Sequence, residues 1–213
     1  MAKEYDVVIL GGGTGGYVAA IRASQLGLKT AVVEKGKLGG TCLHAGCIPS
    51  KALLRSAEVY AQTKQGETFG VIAGDVRLDF AKVQARKAAI VDQLHKGVQH
   101  LMKKGKIDVY AGTGRLLGPS IFSPLPGTVS VEMNDGSENE MLVPKFVVIA
   151  TGSRPRTLPG LEVDGELVIT SDEALQMETL PSSILIVGGG VIGMEWASML
   201  NDFGVDVTVL EYA

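Results

Sequence analysis

Val7-Val8-Ile9-Leu10 is an unbroken, β-branched-rich apolar run, the pattern of a strand buried on both faces. Gly11-Gly12-Gly13-Thr14-Gly15-Gly16 follows it. A helical stretch then runs from Tyr17 to Leu26, Gly27 stops it, and Thr30 to Glu34 reads as the next strand. The same order returns near the far end. Ile184-Leu185-Ile186-Val187 leads into Gly188-Gly189-Gly190-Val191-Ile192-Gly193, then a helix from Met194 to Phe203, Gly204, and a strand from Val205 to Glu211. Gly11 and Gly188 stand 177 residues apart, as do Glu34 and Glu211, so the strand–helix–strand unit recurs in register. Between the two copies, Ser50 to Gln62 reads as a helix carrying Leu53, Leu54 and Val59. Asp79 is placed to cap a long helix reaching Lys104, with Phe80, Val83, Ile90, Leu94, Val98 and Leu101 as its apolar stripe and Gly105 as its stop. Ile107–Ala111, Thr128–Met133 and Met141–Ile149 read as strands, with Asn134-Asp135-Gly136 turning between the last two. Ser153 to Gly160, with two prolines, reads as a linker.

The glycines carry chemistry as well as punctuation. In a Gly-x-Gly-x-x-Gly turn, Gly11 permits the tight bend, Gly13 lets a pyrophosphate approach the backbone, and Gly16 lets helix and strand pack closely. The pyrophosphate then meets the N–H groups of the helix start. Gly188, Gly190 and Gly193 repeat those positions, and Glu34 and Glu211 stand where a carboxylate accepts from an adenosine ribose. A carboxylate at 211 repels a 2′-phosphate, favouring NAD over NADP. A tight turn without ligand is the alternative; recurrence in the full strand–helix–glutamate context argues against it.

Composition narrows the class. With 46% hydrophobic residues, 28 glycines and a net charge of −3, the chain fits a packed α/β protein. No basic block points to nucleic acid or an anionic membrane, and no apolar segment is long enough for a signal sequence or a membrane span. The expected location is the cytoplasm.

The two cysteines, Cys42 and Cys47, lie in one short segment just beyond Glu34. Five helical steps rise about 7.5 Å, beyond the ~7 Å over which a disulfide closes. A Cys42–Cys47 bond therefore needs a bent or non-helical segment, and strained disulfides are the readily reduced ones. Two unpaired thiols buried as small hydrophobes are the competing reading. The neighbouring nucleotide fingerprint favours redox chemistry, with a flavin in the first unit exchanging electrons with a dithiol and a nicotinamide.

Leu38-Gly39-Gly40-Thr41-Cys42-Leu43-His44-Ala45-Gly46-Cys47-Ile48-Pro49-Ser50-Lys51-Ala52-Leu53-Leu54 resembles the active-site signature of the pyridine nucleotide-disulfide oxidoreductases. Ile149-Ala150-Thr151-Gly152-Ser153 resembles that family's second flavin-contact motif, and the second fingerprint with Glu195 resembles its NAD site. The resemblance covers the whole chain. It implies a Rossmann-like FAD-binding domain with a parallel sheet over residues 1–152, and the first βαβ unit of an NAD-binding domain over 153–213. It implies that Cys47 lies beside the flavin, that Cys42 exchanges with a substrate dithiol, and that Lys51 approaches flavin N5 and pairs with Glu195. Glu34, Lys35, Gly40, Thr41, Lys51, Gly114, Thr151, Gly152 and Ser153 are implied in FAD binding.

Within the family, the wording from Ile48 to Leu54 and Glu211 lean toward the members that reoxidise dihydrolipoamide on the lipoyl domain of a 2-oxo acid dehydrogenase complex, as homodimers. A reductase of glutathione- or mercuric-reductase type, or a non-catalytic flavin-binding module, are the alternatives. His44-Ala45 departs from the commoner Asn-Val; His44 reads as a tolerated neighbour, with tuning of a thiolate as a second possibility, and His95 and His100 read as structural or exposed. Two parallel strands and one helix cannot cover both faces of a sheet, and full-length members are more than twice as long. The chain is therefore expected to be a fragment, with little or no turnover by itself.

Overall fold

The first apolar run becomes β1 (Lys3–Leu10), the strand on which the first half of the fold is built. The structure is a computed structural model that describes residues 2–118 and 127–212. Met1 and Ala213, the end points of the two expected domain ranges, and 119–126 lie outside the described residues. The order of elements is β1, α1 (Thr14–Gln25), β2 (Thr30–Glu34), α2 (Gly40–His44), α3 (Cys47–Lys64), a 3₁₀ turn (Gly66–Phe69), α4 (Phe80–Lys104), β3 (Asp108–Leu116), β4 (Val129–Met133), β5 (Glu140–Ile149), α5 (Ser171–Ala174), β6 (Ser183–Val187), α6 (Val191–Phe203) and β7 (Asp206–Leu210). The chain forms two compact units: residues up to His44 with Gln93–Arg154, and Ala45–Asp92 with residues from Pro155 onward.

In the first unit β1 pairs in parallel with both β2 and β5, with Val8 opposite Ala31 on one side and Val147 on the other. β3 adds to β2 in parallel. The expected parallel sheet is thus present, and it closes through an antiparallel strand. β3 pairs with β2 over Asp108–Ala111 and with β4 over Gly112–Leu116; β4 in turn meets the start of β5. The five strands make a closed barrel. Val8, Ala31, Val129, Val131 and Leu142 are wholly buried within its core.

The second unit carries β6 and β7, parallel and in register from Ser183↔Asp206 to Val187↔Leu210. Helix α6 packs there with α3 around Leu53, Ala57, Leu175, Trp196, Met199, Leu200 and Phe203. The short α5 is held by a capping box: the Glu173 carboxylate accepts from Thr170 N at 2.7 Å, and Asp172 N donates to the Thr170 hydroxyl at 3.2 Å.

Two sequence expectations are corrected. The fingerprint helices begin at Thr14 and Val191 rather than at Tyr17 and Met194, so Gly15, Gly16 and Gly193 lie inside them. Glycine's poor helix propensity concealed this, and tertiary contact overrides it. The inner stripe of α4 is also displaced by about one position. Leu94 and Leu101 are 42% exposed, whereas Lys87, Val98 and Met102 are buried. The 3.6-residue period is kept, but it runs through polar side chains that an apolar scan passes over.

Leu200→Ala, at 1% exposure, is expected to destabilise the second unit by about 2–5 kcal/mol. Trp196, the single tryptophan and itself in that core, reports it by fluorescence during urea unfolding. Thr170's side chain and backbone hold the Glu173 carboxyl below its usual range. Its contribution is therefore complete above the unfolded value of 4.5 and is lost as pH falls through the lower folded value. Urea midpoints of Glu173→Gln should be less acid-dependent than those of the parent chain below pH 4.5.

Candidate functional site

Each glycine loop is shaped by a close backbone contact. A Cβ added at Gly16 collides with the carbonyl of Gly11, and one at Gly193 collides with that of Gly188. Gly11 and Gly188 themselves turn at φ 103° and 112°, open to glycine and strained for other residues. Gly11 N donates to Val33 O and Gly188 N to Leu210 O, each at 2.8 Å, so both turns leave their strand at the same step of the ladder.

Gly13 and Gly190 are the N-caps of α1 and α6, and with no side chain they leave the first-turn N–H groups uncovered by a cap. Beside Gly190 an added Cβ meets nothing within 4 Å; beside Gly13 it meets only Gly40 Cα, at 3.6 Å. This is open space over helix-start donors, which fits a pyrophosphate.

The acidic residues complete each loop. Glu34 Oε2 accepts from Gly12 N at 2.6 Å and Oε1 from Gly36 N at 2.7 Å. Glu211 accepts from Gly189 N and, at 2.7 Å, from Tyr212 N. Each carboxylate oxygen has further lone pairs for sugar hydroxyls. Ala150 N donates to Leu10 O at 2.8 Å, so exposed Thr151-Gly152-Ser153 leaves β5 next to the first loop. A Cβ at Gly114 would sit 2.6 Å from Leu10 Cδ2. Lys35 and Thr41 are exposed, and the Lys35 carbonyl accepts from Asn134 Nδ2 at 2.9 Å.

The cysteine segment contains a break. Cys42 sits half-buried in α2, Ala45 and Gly46 interrupt the helix, and exposed Cys47 opens α3. Gly46 adopts φ −154°, ψ −118°. The helix is thus broken between the thiols at Ala45-Gly46, and neither cysteine is a buried core residue. Cys47 stands where the α3 dipole favours negative charge. Lys51, four residues on along the same face, donates to Glu195 of α6 in a partly exposed ion pair.

Three residues to which the sequence reading gave no site role lie at the first loop. Leu38 packs against it, Gly39 N donates to Gly12 O at 2.8 Å, and His95, read as structural or exposed, meets the Leu38 carbonyl. Only the conjunction Leu38-Gly39-Gly40, with two glycines at φ 115° and 61°, signalled a tight approach.

A family model described as pyridine nucleotide-disulphide oxidoreductase matches residues 5–213. The chain belongs to this family. Dihydrolipoyl dehydrogenases, flavin-dependent disulfide oxidoreductases within this family, use FAD and NAD. The chain is 77% identical over all 213 residues to a dihydrolipoyl dehydrogenase of Bacillus subtilis (strain 168), covering 45% of that protein. It is 48% identical to one from Rhizobium etli, covering 99% of this chain and 45% of the relative. Among solved structures, LpdA from Mycobacterium tuberculosis matches with a TM-score of 0.84 at 25% identity, over 99% of this chain and 45% of that one. The HOCl-induced flavoprotein disulfide reductase RclA from Escherichia coli, solved as a Cu(II) complex, matches with a TM-score of 0.80 at 29% identity, over 99% and 43%. The chain spans a little under half the length of the relatives it matches. Among the described residues no helix is long and apolar enough to cross a membrane.

Gly193→Ala is expected to destabilise the second unit by roughly 1–3 kcal/mol through overpacking. Gly190→Ala, three residues earlier, has no clash and should cost only the N-cap preference, about 0.5–1 kcal/mol. Parallel urea titrations followed at Trp196 compare them.

Proposed function

We propose that the chain is the FAD-binding part, 1–152, and the start of the NAD-binding part, 153–213, of a cytoplasmic dihydrolipoyl dehydrogenase. The enzyme reoxidises dihydrolipoamide on the lipoyl domain of a 2-oxo acid dehydrogenase complex, as a homodimer. The observation that most supports this is the cysteine segment itself: a half-buried and an exposed thiol on either side of a helix break, the first of them two residues beyond Gly40, which faces Gly13 of the first glycine loop. The 77% identity to the Bacillus subtilis relative supports the choice of substrate.

On this reading the first loop binds FAD, with Gly11, Gly13 and Gly16 shaping the pyrophosphate cradle and Glu34 on the ribose. Lys35, Gly40, Thr41, Gly114 and Thr151-Gly152-Ser153 line the rest of the site. Gly188, Gly190, Gly193 and Glu211 take NAD in the same manner. A lipoyl thiolate attacks Cys42 Sγ of the Cys42–Cys47 disulfide and Cys47 leaves as a thiolate. The second lipoyl thiolate then attacks the mixed disulfide, so lipoyl becomes the disulfide and both cysteines are reduced. FAD bound at the first loop would supply a two-electron acceptor for the dithiol, with NAD as the final acceptor. Lys51, paired with Glu195, would bring a positive charge toward the flavin.

The test is an anaerobic visible spectrum of the chain with FAD. Addition of a dithiol should produce a long-wavelength absorption shoulder, lost in Cys47→Ser. In Cys42→Ser, where Cys47 has no disulfide partner, the shoulder should be present before any reductant is added. A bound-flavin spectrum of the parent chain that dithiol leaves unchanged, or the absence of the shoulder in Cys42→Ser, would overturn the assignment.

A further inference from the structure

Two imidazoles converge on one backbone oxygen. His44 Nε2 and His95 Nδ1 each lie 2.9 Å from the Leu38 carbonyl, and their rings meet edge to face with centroids 5.0 Å apart at 67°. A carbonyl oxygen has two lone pairs and no proton to give, so both nitrogens must be donors. The pair is therefore locked in opposite tautomers: His44 carries its proton on Nε2 and His95 on Nδ1.

What they hold is the wall of the first glycine loop. The Leu38 side chain is buried against Gly12, where an added Cβ would stand 2.7 Å from Leu38 Cδ2. Gly39 N bonds Gly12 O at 2.8 Å, and Gly40 faces Gly13. Leu38-Gly39-Gly40 thus lies on Gly12-Gly13 on one side and on two imidazoles on the other. Gly39 turns at φ 115° and Gly40, at φ 61°, opens α2.

We propose that His44 and His95 are positioning residues that clamp Leu38-Gly39-Gly40 onto the Gly11–Gly16 loop and thereby set its affinity for a dinucleotide; the affinity part rests on the cofactor reading above. Neither residue touches the ligand in this assignment. Both act through the Leu38 carbonyl and the Gly39–Gly12 bond. The chemistry is specific enough to be reproduced: a Gln amide nitrogen can take the place of Nε2 at 44, and an Asn amide nitrogen that of Nδ1 at 95.

The experiment uses the 213-residue chain throughout. ¹⁵N-histidine NMR at neutral pH should show His44 as the Nε2–H and His95 as the Nδ1–H tautomer; the same tautomer at both positions would overturn the clamp. Amide exchange at Gly39 should quicken about fivefold in His44→Ala and in His95→Ala, the worth of one ordinary hydrogen bond. The core amides of Val8 and Val32 should keep their rates. His44→Gln and His95→Asn should stay within about twofold of the parent. FAD affinity, by equilibrium dialysis, should follow the same order. Equal acceleration at Val8 and Val32 would mean general loosening, and Ala variants with parental Gly39 exchange would mean no clamp; either refutes the proposal. A parent chain that retains no FAD but shows the tautomers and the Gly39 pattern would refute the affinity part alone.

Discussion

No Cβ fits between Gly16 and the Gly11 carbonyl, or between Gly193 and that of Gly188, and both halves of the chain are organised around that exclusion. It brings each helix so close to its strand that the helix begins where the strand ends. The strand end, the first helical N–H groups and the acidic tip of the next strand then share one small region. The steric demand is local, but it gathers the helix-start N–H groups beside a carboxylate at the far side. Open space beside Gly190, and beside Gly13 apart from Gly40, follows from the same geometry.

Helix α4 shows a second use of polar groups. Beside the buried Val98 and Met102, and in place of Leu94 and Leu101, it carries a set of donors that each end on a main-chain carbonyl. Gln84 Nε2 reaches Met177 O at 2.7 Å, Arg86 reaches Ala52 O at 2.7 Å, Lys87 reaches Leu175 O and His95 reaches Leu38 O. The accepting Met177, Leu175 and Leu38 carbonyls lie in connecting segments, where no strand ladder supplies a donor and a side chain must. Burial lowers the pKa of the Lys87 ammonium, the cost of setting a cation against a carbonyl. These bonds tie connecting segments down with direction, which apolar contact cannot do.

Strands that are one continuous apolar run were legible almost to the residue: Thr30–Glu34 was read at its observed bounds, and Ile184–Val187 lacked only Ser183, whereas the polar start of β1, Lys3–Asp6, and the glycine-broken end of β3, Gly112–Leu116, were missed. Asp79 was legible as a cap because its side chain bonds Lys82 N, three residues on. Helix starts inside the glycine loops were not, since Gly15, Gly16 and Gly193 score as breakers by propensity while packing holds them helical. The barrel closure was not legible either. It depends on β3 and β5 each serving two neighbours, a pairing no single strand's pattern encodes. In the site, the glycines, the glutamates and the cysteine segment could be read from spacing, whereas Lys51 with Glu195 came only through family resemblance.

The sequence by itself determined whatever is encoded by near neighbours along the chain. That includes two strand–glycine–helix–strand units 177 residues apart, a dithiol segment between them that cannot bond as a straight helix, and the family they spell. Tertiary structure decided the partnerships between distant residues: Lys51 with Glu195 across 144 positions, His95 with Leu38 across 57, and Gly12 beneath Leu38. The reason is physical. A turn or strand follows from sterics and periodicity within a few residues, whereas a side chain's hydrogen-bond partner depends on which carbonyl the folded chain leaves without another donor.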